Sequence, residues 1–124
     1  MKTINFNRQG GEIKVEFKFT GLITASYEFT LWAADSNDRI MHKTGNNQNA
    51  QDDIYSLPVP AADNEGRIIQ LRTEFVGLDP INSKQFKIIV SVDQGSKTIG
   101  ELNDEGEVTG KMQSSLIFAQ LVGE

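Results

Sequence analysis

The chain has 124 residues, with 12 basic and 17 acidic side chains, a net charge of −5 and no cysteine. That length suits one domain, residues 1–124, burying roughly two thirds of its unfolded surface without disulfide or metal staples. A disulfide framework, a thiolate metal site and a cysteine nucleophile are excluded outright.

The lysines are scattered rather than gathered in a stripe, so nucleic acid and anionic membrane surfaces are poor partners. No apolar run approaches the ~18 residues that cross a bilayer, and no membrane insertion is expected. Residues 1–8 lack the apolar core of a signal peptide, which reads as a cytoplasmic location unless export takes another route.

Residues 13–19 alternate without a fault between apolar odd positions and charged even ones. This is the period of a strand with one face on a core and one in water. Residues 21–24 connect it to a second alternating run, 25–33. There Tyr27, Phe29 and Leu31 share one face, and Ser26, Glu28, Thr30 and Trp32 the other. Residues 35–38 are a turn by composition, 39–44 a short strand, and 45–49 a polar loop running on to Asp52 and Asp53. Residues 54–57 are extended, and Pro58 and Pro60, which cannot donate to a central ladder, put them on an edge or end them there.

Residues 63–66 are another turn, followed by a strand over 67–76 with Ile69, Leu71 and Phe75 on its apolar face. Residues 77–82 lead to 86–92, the strand with the strongest buried character. Residues 93–96 read as a tight hairpin into 97–102, and 103–106 as the next turn. The last run, 112–122, holds Leu116, Ile117, Phe118 and Ala119 in succession, which suits a buried strand or a helix. Turns recurring at strand spacing, with no helix cap before the run, favour the strand. All eight aspartates fall in the connections of this scheme, as a residue depleted in strands should.

Eight or nine short strands point to an all-β domain, an antiparallel β-sandwich of about eight strands. A small up-and-down β-barrel is the alternative. If 11–19 and 25–33 form a hairpin, one register sets Glu16 against the like-charged Glu28. A second sets Lys18 opposite Glu28, Lys14 opposite Trp32 and Phe17 opposite Phe29. Charge favours the second by about 1 kcal/mol.

Candidate chemistry is sparse. His42 is the sole histidine, flanked by Met41 and Lys43, and no G-x-S-x-G elbow accompanies it. Paired carboxylates can cleave glycosides when their environments differ, but these acids sit in turns or, for Glu28 and Glu74, on polar strand faces. The acidic loops offer oxygen ligands for calcium without matching the spacing of an EF-hand, because Arg39 stands where a third ligand would. Residues 95–98, Gly-Ser-Lys-Thr, have the wrong order for a phosphate loop. Nothing implies a cofactor.

Two side chains stand out as ligand-binding candidates. Trp32, on a face with Glu28 and Thr30, can stack on a sugar ring or anchor a protein; otherwise it is covered near the end of its strand. Tyr55, beside the prolines, can join such a patch. The sequence reading is a non-catalytic binding or protein-interaction module with a protein or carbohydrate partner. Its alternatives are a small-ligand carrier barrel of lipocalin-like shape and a carbohydrate-binding module using Trp32 and Tyr55. Composition leaves the oligomeric state open.

Overall fold

Alternation along the chain resolves into two sheets that meet through their apolar faces. In this computed structural model, which describes residues 1–48 and 53–124, the strands are β1 (Lys2–Phe6), β2 (Ile13–Thr20), β3 (Ile23–Trp32), β4 (Arg39–Asn46), β5 (Ile54–Ser56), β6 (Ile68–Gly77), β7 (Gln85–Gln94), β8 (Lys97–Glu107) and β9 (Gln113–Gly123). One sheet has five strands in the order β1-β9-β6-β3-β4, and the other four in the order β5-β2-β7-β8. The sandwich read from the alternation is the architecture; the sheets do not close into a barrel. The C-terminal run is a strand, β9, and β5 is an edge strand that ends at Ser56, ahead of Pro58 and Pro60. Asn49 and Asp52, part of the polar loop read from composition, lie outside the described residues.

The core is the sum of the inward faces. Phe29, Leu31, Leu71 and Leu121 from the five-stranded sheet and Ile13, Val15, Ile88 and Val90 from the four-stranded sheet are all buried. An aromatic cluster joins the layers at one side. Phe17 of β2 meets Phe29 and Tyr27 of β3 edge-on, with ring centroids 5.3 and 5.4 Å apart. Edge-to-face contact brings the positive rim of one ring to the negative face of the next.

Four expectations need correction. The first is the hairpin of 11–19 with 25–33. β2 pairs with β5 and β7, whereas β3 pairs with β4 and β6. Lys18 therefore stands opposite Ile89, Lys14 opposite Asp93, and Glu28 opposite Arg72 and Thr44. Phe17 and Phe29 do touch, but across the core rather than along one sheet. The link Gly21-Leu22 carries the chain from one layer to the other. Gly21 adopts φ +98, and a Cβ there would lie 2.3 Å from the Gln85 carbonyl oxygen. A left-handed, crowded position of that kind suits glycine alone. Alternation could not distinguish the two outcomes, because a hairpin and a crossing arch both turn Phe17 and Phe29 inward.

Second, the sheets are not wholly antiparallel. Residues 2–6 form a strand, β1, which pairs in parallel with β9. It buries Ile4 and Phe6. Third, residues 103–106 are no turn: β8 runs through them to Glu107. Gly106 stands opposite Phe86, and a Cβ on it would come 3.3 Å from that ring, so the glycine provides room rather than a bend. The reversal falls later, where Gly110 takes φ +80. Fourth, among the described residues two aspartates lie in strands. Asp93 accepts from the Thr98 hydroxyl at 2.7 Å, and Asp104 from the Ser115 hydroxyl at 2.7 Å. These bonds give each carboxylate the partner it would otherwise find in a turn.

Candidate binding face on the five-stranded sheet

Register determines which side chains share the solvent face of the five-stranded sheet. Trp32 stands beside Ile68; Thr30, Gln70 and Phe118 form the next row; Glu28, Arg72 and Leu116 form the third. One part of this face is apolar. Leu116 is 55% exposed and Phe118 42%, and between these and the turn after β3 lies a groove of about 330 Å³ lined also by Trp32, Ile68 and Gln70. A second, polar groove of about 700 Å³ adjoins it, lined by Glu28, Arg72, Glu74, Thr44 and Asn46.

Trp32 is half-buried in this face. Its indole N–H donates to the Gln70 side-chain oxygen at 2.9 Å. The Arg39 guanidinium stands 5.8 Å from its ring centroid, a cation–π distance. The ring is therefore oriented from two sides, by its polar tip and across its face. It is neither a free platform nor a core residue. The reading that Trp32 shares a face with Glu28 and Thr30 holds; the neighbour from β2 that was expected, Lys14, is on the other sheet.

Tyr55 lies elsewhere. It pairs with Val15 on the edge strand β5 and points between the sheets, 5.6 Å from the Phe29 ring and 5.8 Å from Phe17. Its hydroxyl donates to the Tyr27 hydroxyl at 2.6 Å, and Tyr27 in turn donates to Asp53 Oδ1 at 2.6 Å. Burial first, then these bonds to Asp53 and Tyr55, push the Tyr27 phenol well above its ordinary range. Trp32 and Tyr55 thus share no surface. The chain of hydroxyls ties the short strand β5 to β3 and closes that side of the core.

The other candidates separate as well. His42 is exposed on the edge strand β4, opposite Thr30. Asp79, on an exposed connection, is held below the usual carboxylate range by hydrogen bonds from the Asn82 side chain and backbone. Among the described residues, no three histidine or acidic side chains gather closely enough to hold a metal ion. Among those residues too, no helix is long and apolar enough to cross a membrane.

Leu116 and Phe118 escaped the sequence reading as site residues. The signal was present: four apolar residues in a row, 116–119, make both faces of a strand apolar. Ile117 and Ala119 take the core side. Leu116 and Phe118 must then face out, and nothing in the local pattern says which pair does which.

No protein-family model and no curated protein matches this chain. Among solved structures it is similar to a domain of unknown function, DUF4425, from Bacteroides vulgatus. The identity is 14% and the TM-score 0.44, over 92% of this chain and 97% of that one.

Proposed function

We propose that the protein is a non-catalytic interaction module that binds another protein through the outer face of its five-stranded sheet. One observation carries this reading: Leu116 and Phe118 stand exposed beside half-buried Trp32 and Ile68, on a face whose inward side already supplies the core. Large apolar side chains grouped on a surface, with polar residues at their margin, are the usual composition of a protein interface. Glu28, Arg72 and Glu74 supply that margin. A protein fits better than a sugar, because the exposed groups include an aliphatic one and the indole N–H of Trp32 is already bonded to Gln70. A sugar would ask for free aromatic faces and open hydrogen-bonding groups beside them.

The test uses a photo-crosslinking side chain at position 118, with the same group at Lys18 on the opposite face as control. Expected is a discrete crosslinked protein from position 118 in cells that make the chain, and none from position 18. Equal crosslinking from both positions, or none from 118, overturns the reading. Titration with soluble oligosaccharides, read by Trp32 emission, should leave the emission unchanged. A saturable change would replace the protein partner by a carbohydrate.

A further inference from the structure

The two long edges of the sandwich carry opposite charge. β4, eight residues long, ends the five-stranded sheet. It exposes Arg39, His42 and Lys43 and contains no acidic residue. β8, eleven residues long, ends the four-stranded sheet. It exposes Glu101, Glu105 and Glu107, with Asp104 half-buried and Lys97 alone on the basic side. The other two edges are short, five residues in β1 and three in β5. β8 lies over β1 and β9, whereas β5 lies over β3, with the Tyr55 ring against Phe29. The two long edges therefore face away from each other on opposite sides of the molecule.

An edge strand presents a row of unpaired N–H and C=O groups to any strand that approaches. Shortness and charge are the ordinary protections. Shortness protects β1 and β5. Charge protects β4 against a second β4, and β8 against a second β8, but it draws β4 toward β8. Neither strand contains proline, and the register of each is irregular only near its start, leaving residues 41–46 and 100–107 regular.

We propose that this chain self-associates by adding β8 of one copy to β4 of the next. The strand directions permit it. β2 folds back on β3 through two residues, so it runs with β4, which is antiparallel to β3. β8 runs with β2, because each is antiparallel to β7. In one copy β4 and β8 therefore point the same way. A half-turn about the axis across the strands brings β8 of a second copy antiparallel to β4 and sets β5 beside the neighbour's β1. The contact uses two different surfaces, so each added copy leaves a free β4 and a free β8. Growth is linear and does not close.

Sedimentation at low salt over a series of protein concentrations tests this. Expected is a mass that rises with concentration in multiples of the chain and falls as salt screens the exposed charges, over about 10 Å at 0.1 M. A His42→Glu, Lys43→Glu variant leaves both edges acidic, and a Glu101→Lys, Glu105→Lys variant leaves both basic. Each alone should associate about tenfold more weakly or worse. Mixed in equal amounts, they should associate again, because each then offers the charge the other lacks. The proposal is overturned if the natural chain stays monomeric throughout, if either variant associates as the natural chain does, or if the mixture remains monomeric. Trp32 emission confirms that each variant is folded; the single changes Lys43→Glu and Glu105→Lys replace any pair that is not. A Leu116→Ser, Phe118→Ser variant should self-associate unchanged, which separates this edge contact from the binding face proposed above.

Discussion

The outer faces of the two sheets meet the same water with different side chains. On the four-stranded sheet, Lys14 stands opposite Asp93, Glu16 opposite Ser91 and Lys87 opposite Glu105, with Ile89 between Lys18 and Asn103, and Ile54 beside Glu16 on the edge strand, as aliphatic exceptions. Lys18 also reaches Glu16 along its own strand at 3.1 Å. Such exposed pairs are worth at most about 1 kcal/mol each, so this face is solvated rather than held together by charge. On the five-stranded sheet the corresponding positions include Trp32, Ile68, Leu116 and Phe118. A sandwich needs only its inner faces apolar. The four-stranded sheet goes beyond that requirement with two aliphatic side chains set apart from each other, Ile54 beside Glu16 and Ile89 beside Lys18. The five-stranded sheet exceeds it, and the excess is grouped rather than scattered, which is why the binding reading rests on that face.

Mutations can break or sharpen this contrast. The largest effect belongs to the interior that both sheets share. Phe29→Ala should lower stability by about 3–5 kcal/mol in urea unfolding, because a buried aromatic leaves a cavity. That value sets the scale of an inward residue. A loss near zero would mean that the sheets do not meet as described.

Next comes the tie between the layers. Tyr27→Phe removes a buried hydroxyl that donates to Asp53, and should cost about 1.5–3 kcal/mol, as bonds to charged groups do. Its pH signature has a definite sign. The Tyr27 phenol is raised in the folded chain, whereas in the unfolded chain it titrates near its ordinary value of about 10. The stability it contributes is therefore complete below about pH 10 and lost as the pH rises beyond. The natural chain should lose stability above that pH faster than Tyr27→Phe, measured by unfolding at a series of alkaline pH values. Equal slopes would place the Tyr27 hydroxyl in water.

The smallest effect is the most diagnostic of the contrast itself. Leu116→Ser on one outer face and Lys18→Ser on the other should each change stability by no more than about 0.5 kcal/mol, the usual range for exposed positions. Leu116 would then be a residue that folding does not need. A cost approaching that of Phe29→Ala would make the apolar face structural, and the difference between the two faces would cease to speak about function.

Much of this protein was legible along the chain. Alternation at 13–19 and 25–33 identified the strands and their inward residues, because burial of every second side chain is a local property of an extended backbone. The prolines at 58 and 60 marked where β5 ends for an equally local reason, the missing N–H, whereas its edge position is a matter of sheet order. β1 was harder, since Ile4 and Phe6 alternate over five residues only and their partner strand lies at the far end of the chain.

Trp32 also illustrates the boundary. Its face was readable from its neighbours in β3, but Gln70 and Arg39, which orient it, come from two other strands. By itself the sequence determined an all-β domain with alternating faces, a cysteine-free interior and acidic balance. Only the tertiary structure decided that β2 and β3 belong to different sheets, that Tyr55 points inward, and that Leu116 and Phe118 join Trp32 on one solvent face. The physical reason is that a period of two tells inside from outside but carries no information about which strand lies beside which. That information resides in glycine links such as Gly21 and in contacts between residues far apart in the chain.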